Sequence, residues 1–244
     1  MRFVRASAVA VAAVLVAGGC TGDDGGAAST TTGPGSSEST TPPVTVPLDG
    51  SGAVSGDGLD GVVLARALVP GADLPGYEVR SFARPYEPDE RPGLLVCGVD
   101  LRAEEGLLDG VQSVLVSGAV QVTTTVSAAA DSEAATGFVQ RFGEVAGGCA
   151  APWTQEAPLL GVGPIEAEVV GPADVGSPGP QVLAYRLRTT TDAGVSDVIV
   201  AVMAVGPLVV TVTVAGPAGD ELAVATEAVA AAARRSLELV AQLG

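Results

Sequence analysis

Hydrophobic and polar positions alternate most regularly around residue 124, where Val120, Val122, Thr124, Val126 and Ala128 interleave with Gln121, Thr123, Thr125 and Ser127. This period of two predicts a β-strand that buries one face and leaves the other polar. The pattern then changes to a helical one. Ala135, Phe138, Phe142 and Val145 recur at spacings of three and four behind the capping residues Asp131 and Ser132, and Gly147 and Gly148 close the helix. Three further β runs follow, Val182 to Thr190, Val195 to Val205 and Leu208 to Ala215, separated by the turns Asp192-Ala193-Gly194 and Gly206-Pro207. Short turns between such runs predict antiparallel hairpins. A final amphipathic helix is expected from Asp220 to Leu243, with Leu222, Ala225, Val229, Ala233, Leu237 and Val240 as its core stripe. Asp220 and Glu221 suit the positive end of its dipole.

Upstream, Leu59, Val62, Val63, Arg66 and Ala67 predict a short opening helix that Pro70 and Gly71 end before the turn Leu74-Pro75-Gly76-Tyr77. Tyr77 to Phe82 reads as a strand, Arg84 to Pro92 as a surface loop, and Leu94 to Val99 as a short apolar run carrying Cys97. A further short strand is expected at Ile165 to Val170. The fold class this predicts is α+β, an antiparallel β-sheet packed by two main helices with one disulfide, preceded by a signal peptide and a disordered linker.

The first nineteen residues and the stretch after them have a different character. Arg2 and Arg5 precede an apolar run, Ala6 to Ala17, which ends in Gly18, Gly19 and Cys20. The run is shorter than the roughly 20 residues a spanning helix needs and has the order of an export signal. Cys20 directly after the small pair resembles a lipobox, at which diacylglycerol is attached to the thiol before cleavage. Ala17 stands where leucine is commoner, and the alternative is an ordinary secreted protein with an incidental cysteine. Residues 1–19 are therefore expected to be a lipoprotein signal peptide, and the mature chain a lipoprotein held by an acyl anchor, palmitate included, on the extracytoplasmic face of the cell membrane.

Thr21 to about Asp57 consists mainly of Gly, Ser, Thr, Pro and Asp. Such composition buries too little apolar surface to offset ordering, so residues 20–57 are expected to form a flexible tether, spanning roughly 35 Å as a coil. Its Ser29 to Thr32 and Ser36 to Pro43 clusters are candidate O-glycosylation sites. The folded domain then occupies 58–244.

Of three cysteines, assigning Cys20 to lipid leaves Cys97 and Cys149 as an even pair for a disulfide in an oxidising compartment. Two free buried thiols are the alternative. The bond would restrict the unfolded chain by roughly 4 kcal/mol in the chain-entropy model.

Composition excludes much chemistry. The chain has no His, no Lys and no Asn, and all twelve basic residues are Arg, a usage that fits a GC-rich actinobacterial genome. Ser-His-Asp and Cys-His catalysis, His-ligated metal, Schiff-base lysine and P-loop lysine all fall away. Loss of Arg2 and Arg5 on cleavage takes the formal charge from −16 to −18, which disfavours nucleic acid or an anionic surface as a partner and leaves cationic or neutral ligands open.

The order of features is similar to a known family. An opening helix into Leu74-Pro75-Gly76-Tyr77, then Cys97, a valine-rich strand into the Phe138/Phe142 helix, Cys149 with Trp153 nearby, hairpins and a last helix resemble the PknH-like extracellular sensor domain of actinobacteria. That family includes the external domain of a membrane serine/threonine kinase and stand-alone lipoproteins. The resemblance covers residues 58–244 and implies an antiparallel sheet with a cleft for an unidentified ligand. It also implies a binding or accessory role, since no kinase domain is present and only one disulfide is available where the kinase domain has two.

Other constellations carry less. Glu166 and Glu168 share a strand face and can in principle divide acid and base work, although a solvated face is the simpler account. Asp89-Glu90 and Glu104-Glu105 are expected in loops. Gly161-Val162-Gly163 is followed by Pro164 and a strand, so it reads as a turn and not a dinucleotide loop. Asp57 and Asp60 lack calcium-loop spacing, so no metal or cofactor is expected. Arg186 and Arg188 can clamp an anion or, more simply, balance neighbouring carboxylates. The functional expectation is a non-enzymatic cell-envelope lipoprotein with a ligand-binding or sensor-like domain, its partners the membrane and a small-molecule, cell-wall or protein ligand. A lipid or glycolipid carrier and a carboxylate-only hydrolase are the alternatives.

Overall fold

Val198 to Val205 is apolar at every position, which suits a strand covered on both faces more than an alternating half-buried one. The computed structural model describes residues 56, 58–85, 94–107, 110–155, 164–176, 179–192, 194–217, 219 and 221–244. In it β8 (Gln181–Thr191), β9 (Gly194–Val205) and β10 (Leu208–Gly216) form an antiparallel meander, as the turn residues predict. Val205 opposes Leu208 across a two-residue turn in which Gly206 has φ 55°, a left-handed conformation that glycine adopts without steric cost.

The meander continues on both sides. β1 (Glu78–Pro85), β4 (Val111–Ser117) and β5 (Val120–Ala128) extend it beyond β10, while β7 (Ile165–Pro172) and β6 (Trp153–Gln155) extend it beyond β8. The order is β1-β4-β5-β10-β9-β8-β7-β6, with antiparallel pairing throughout. β4 and β6 escape the sequence pattern. Val111 to Leu115 are all buried, so β4 shows no alternation, and β6 has only three residues.

Two helices sandwich the sheet. α4 (Glu221–Leu243) lies on one face over β9, β10 and β5, burying Ala225, Ala228, Val229, Ala232 and Leu239 against Val122, Val126, Ile199, Met203, Val210, Val212 and Val214. The opening segment joins this layer. It consists of α1 (Gly61–Leu64), capped by Asp60 Oδ1 accepting from the Val62 and Val63 amides, and a 3₁₀ turn at Ala65–Ala67. Its inward residues are Leu64, Ala67 and Leu68, whereas Val62, expected on the apolar side, is 79% exposed. The α4 stripe is likewise rotated. Leu237 is 47% exposed and Ser236 is fully buried, because the small side chains let the helix settle close to the sheet along its alanine row.

α3 (Ser132–Gly147) covers the other face of β8, β9 and β10, capped by Asp131 Oδ1, which accepts from Ala134 N at 2.8 Å. Phe138, Val139 and Phe142 pack on Leu187, Val198, Val200 and Val202. Phe142 meets Tyr185 edge to face at 5.6 Å between ring centroids. A Cβ at Gly143 would lie 2.6 Å from Leu183 Cδ1, so a larger residue here would displace the Leu183 side chain.

Beside α3 a small cap forms. β2 (Leu95–Val96) and β3 (Val99–Asp100) make a ribbon whose turn places Cys97 and Gly98 at φ 53° and 77°. Asp100 Oδ1 then caps α2 (Leu101–Glu104), so Glu104 stands on a helix and not in the expected loop. Cys97 and Cys149 are joined in a disulfide, with 5.7 Å between their Cα atoms, which fastens the ribbon just beyond the end of α3. Arg141 adds a second tie by donating to both oxygens of Glu104 at 3.2 Å, and this contact raises the Arg141 pKa. No described helix is long and apolar enough to cross a membrane. Residues 1–55 and 57, Cys20 and nearly all of the 20–57 tether among them, lie outside the described residues, whereas Gly56, expected in the tether, is buried and its amide donates to Ala130 O at 3.0 Å.

Candidate functional site

The face of the sheet that carries α3 divides into two halves. Under the helix, β8 and β9 are apolar. On β4, β5 and β10 the same face is polar, and it is buried. Gln112, Thr125 and Thr211 stand in one cross-strand row, and Thr123 and Thr213 oppose each other in the next. Gln121 and Ser127 extend the surface at either end, and all seven side chains are less than 10% exposed. The expectation for β5 of one buried and one polar face holds, but its polar face is buried as well.

Arg102 projects from α2 into this surface and is 1% exposed. Its Nη2 donates to Thr211 Oγ1 at 3.1 Å and its Nη1 to Ser127 Oγ. Gln121 Nε2 donates to Thr123 Oγ1 at 3.3 Å. Gln112 Oε1, fully buried, accepts no hydrogen bond among the described residues. Burying an acceptor without a donor costs about 1–3 kcal/mol, so a face built this way is not optimised for stability alone. Chemically it offers hydroxyl and amide groups of both hydrogen-bonding senses beside a guanidinium, an inventory for recognising a polar ligand.

The residues singled out by sequence go elsewhere. Glu168 pairs with Arg188 at 3.8 Å, and Arg188 Nε donates to the buried Asp197 at 3.1 Å, a row across β7, β8 and β9. Arg186 meets Glu221 at 3.1 Å, charge to charge, at the start of α4. Both arginines therefore balance carboxylates, the simpler of the two expectations. Glu221 is completely buried and not displayed at the helix end. Its Oε2 accepts from Gly219 N at 2.6 Å. Glu166 is exposed, opposite Thr190. Among the described residues no group of three or more His, Cys, Asp or Glu is placed to hold a metal ion. Asp57, Asp89-Glu90 and Gly161-Val162-Gly163 lie outside the described residues.

The architecture matches that of a solved structure, the extracellular domain of PknH from Mycobacterium tuberculosis, with a TM-score of 0.52 over 75% of this chain and 97% of that one. The fold is PknH-like. Identity over that match is 15%, so the likeness concerns the fold. A second solved structure, an uncharacterised protein of Mycobacterium smegmatis that is the Rv0999 ortholog, aligns at 12% identity with a TM-score of 0.36, covering 71% of this chain and 96% of that one. No family model matches the sequence, and no curated protein is significantly similar to it.

Within this PknH-like fold the polar half-face was hidden from sequence reasoning. Its signal is the pair of threonines two apart on β5, Thr123 and Thr125, matched by Thr211 and Thr213 on β10. Only the register places them side by side. Arg102 gives no local sign of burial at all.

Proposed function

We propose that this chain is an extracytoplasmic, lipid-anchored ligand-binding protein of the cell envelope, sensor-like and non-enzymatic, whose recognition surface is the polar half-face around Arg102. The observation that carries the proposal is the buried run of Thr, Ser and Gln side chains with the unpartnered Gln112 Oε1 among them. A polar ligand supplies the missing donor. Likeness to a domain described as extracellular supports the location, and the Cys20 motif supports the lipid anchor. The partners are then the membrane, through the anchor, and a small-molecule, cell-wall or protein ligand.

The alternatives fit less well. A lipid or glycolipid carrier needs an apolar cavity between sheet and helices, yet Phe138, Val139 and Phe142 of α3 are buried against Leu187, Val198, Val200 and Val202 of the sheet. A carboxylate-only hydrolase needs Glu166 and Glu168 in a shared enclosed site, but Glu166 faces solvent and Glu168 pairs with Arg188.

Native mass spectrometry of the protein purified from its own cell envelope tests the proposal. A bound species that persists in the wild type and is lost in Gln112→Leu and Arg102→Gln, with both variants folded by circular dichroism, is the expected result. A bound species retained in both variants would move the site elsewhere. The mass of the N-terminal peptide tests the anchor: a diacylated Cys20 is expected, and a free thiol there would remove it.

A further inference from the structure

On the opposite face of the sheet lies a feature that the polar half-face does not involve. A groove of about 400 Å³ opens between the 3₁₀ turn at Ala65–Ala67, the C-terminal half of α4 and the edge strand β1. This is within the range of roughly 300–1,000 Å³ typical of pockets for single small molecules. Leu68, Pro70 and Leu239 line it with apolar surface, and Phe82 on β1 stands at its side 45% exposed, a large aromatic left uncovered.

The charges around the groove are arranged unequally. Arg235 forms a two-pronged contact with Asp73, Nε to Oδ2 at 2.7 Å and Nη2 to Oδ1 at 3.2 Å, and Glu238 lies one turn further along α4. That arginine is compensated. Arg66, exposed on the other wall, donates to Gln242 Oε1 and meets no carboxylate among the described residues. In a chain of formal charge −16, a cation without a counter-charge among the described residues, beside the exposed ring of Phe82, is a placement with chemical meaning.

We propose that this groove binds a single-chain amphipathic anion, its acidic group on Arg66 and its apolar tail against Phe82, Pro70 and Ala65. The guanidinium supplies a charge-assisted, two-pronged hydrogen bond to a carboxylate or sulfate head. The tail gains by leaving water, at about 25 cal/mol per Å² of apolar surface covered. The groove suits one chain and is too small for a two-chain lipid. Because the site is on the other side of the sheet from Arg102, its failure would leave the polar half-face untouched, and the converse holds.

Isothermal titration calorimetry on the mature protein tests this with decanoate, decyl sulfate and the neutral decyl maltoside, each below its micellar concentration. Saturable one-to-one binding of both anions is expected, at least tenfold tighter than that of the maltoside. Arg66→Gln and Phe82→Ser, both at exposed positions and checked by thermal melting, are each expected to weaken decanoate at least fivefold. Equal binding of the neutral probe, absence of saturable anion binding, or affinities unchanged in both variants would overturn the proposal. Vesicles of dioleoyl-phosphatidylglycerol are expected not to displace decanoate, and displacement would overturn the single-chain assignment.

Discussion

Successive residues of β10 enter two different environments. Val210, Val212 and Val214 point into the layer beneath α4, which is mainly apolar with Ser113 and Thr124 as buried exceptions, whereas Thr211 and Thr213 point into the layer that Arg102 enters. Both layers exclude water to a similar degree, so burial does not distinguish them. The chemistry does. Each fully buried valine contributes roughly 1.5–3 kcal/mol relative to an exposed one, while a buried hydroxyl contributes only what its hydrogen bond returns. One sheet thus carries a face that holds the fold together and, in half of the other, a face that spends stability on polar groups. Such a division is expected where one side of a scaffold is kept for recognition.

The largest test of this contrast concerns the cap that carries Arg102. Reducing the Cys97–Cys149 bond, which spans 52 residues, is expected to cost about 4 kcal/mol in the chain-entropy model, read as a fall in urea midpoint with a steeper slope, because the freed unfolded chain is less compact. A loss near zero would show that the cap is held by its packing alone. Next in size, Ile199→Ala in the α4 layer should cost about 2–5 kcal/mol, since Ile199 is fully buried and its removal leaves a cavity.

Adjacent residues on one strand then give the sharpest comparison. Val214→Thr should lose about 1–3 kcal/mol by burying a hydroxyl between Val122 and Ile199. Thr213→Val should stay within about 1 kcal/mol of wild type, because its neighbour Thr123 already accepts from Gln121 and no described group depends on it. If both changes cost the same, the two faces are energetically alike and the contrast is wrong.

The smallest effect is electrostatic. The Arg235 hydrogen bond holds Asp73 below its ordinary pKa of 3.8, with Arg234 adding to the effect at 3.5 Å. A carboxyl with a lowered folded pKa stabilises fully above its unfolded value and loses that contribution as the pH falls through the folded one. Asp73→Asn should therefore be less stable than wild type near neutrality, by on the order of 1 kcal/mol or less given the partial exposure of Arg235, and the two should converge in acid below 3.8. Urea midpoints measured at a series of pH values would show the convergence.

The amino-acid order by itself determined the elements whose pattern is local: the β8–β10 meander with its glycine turns, the alternation of β5, and both long helices with the cap on α3. Each depends on residues within a few positions of one another, where period and turn chemistry act directly. The pairing of Cys97 with Cys149, 52 residues apart, followed from counting cysteines and not from local pattern. Tertiary structure decided the rest. β4 is invisible to periodicity because both its faces are covered, and the inward stripe of α4 is set by how closely alanines approach the sheet and not by where the largest side chains fall. The polar half-face exists only because β5 and β10, far apart in sequence, pair in one register and not the next. A shift of one residue would turn Thr123 and Thr125 toward α4 and Val122 and Val126 toward Arg102.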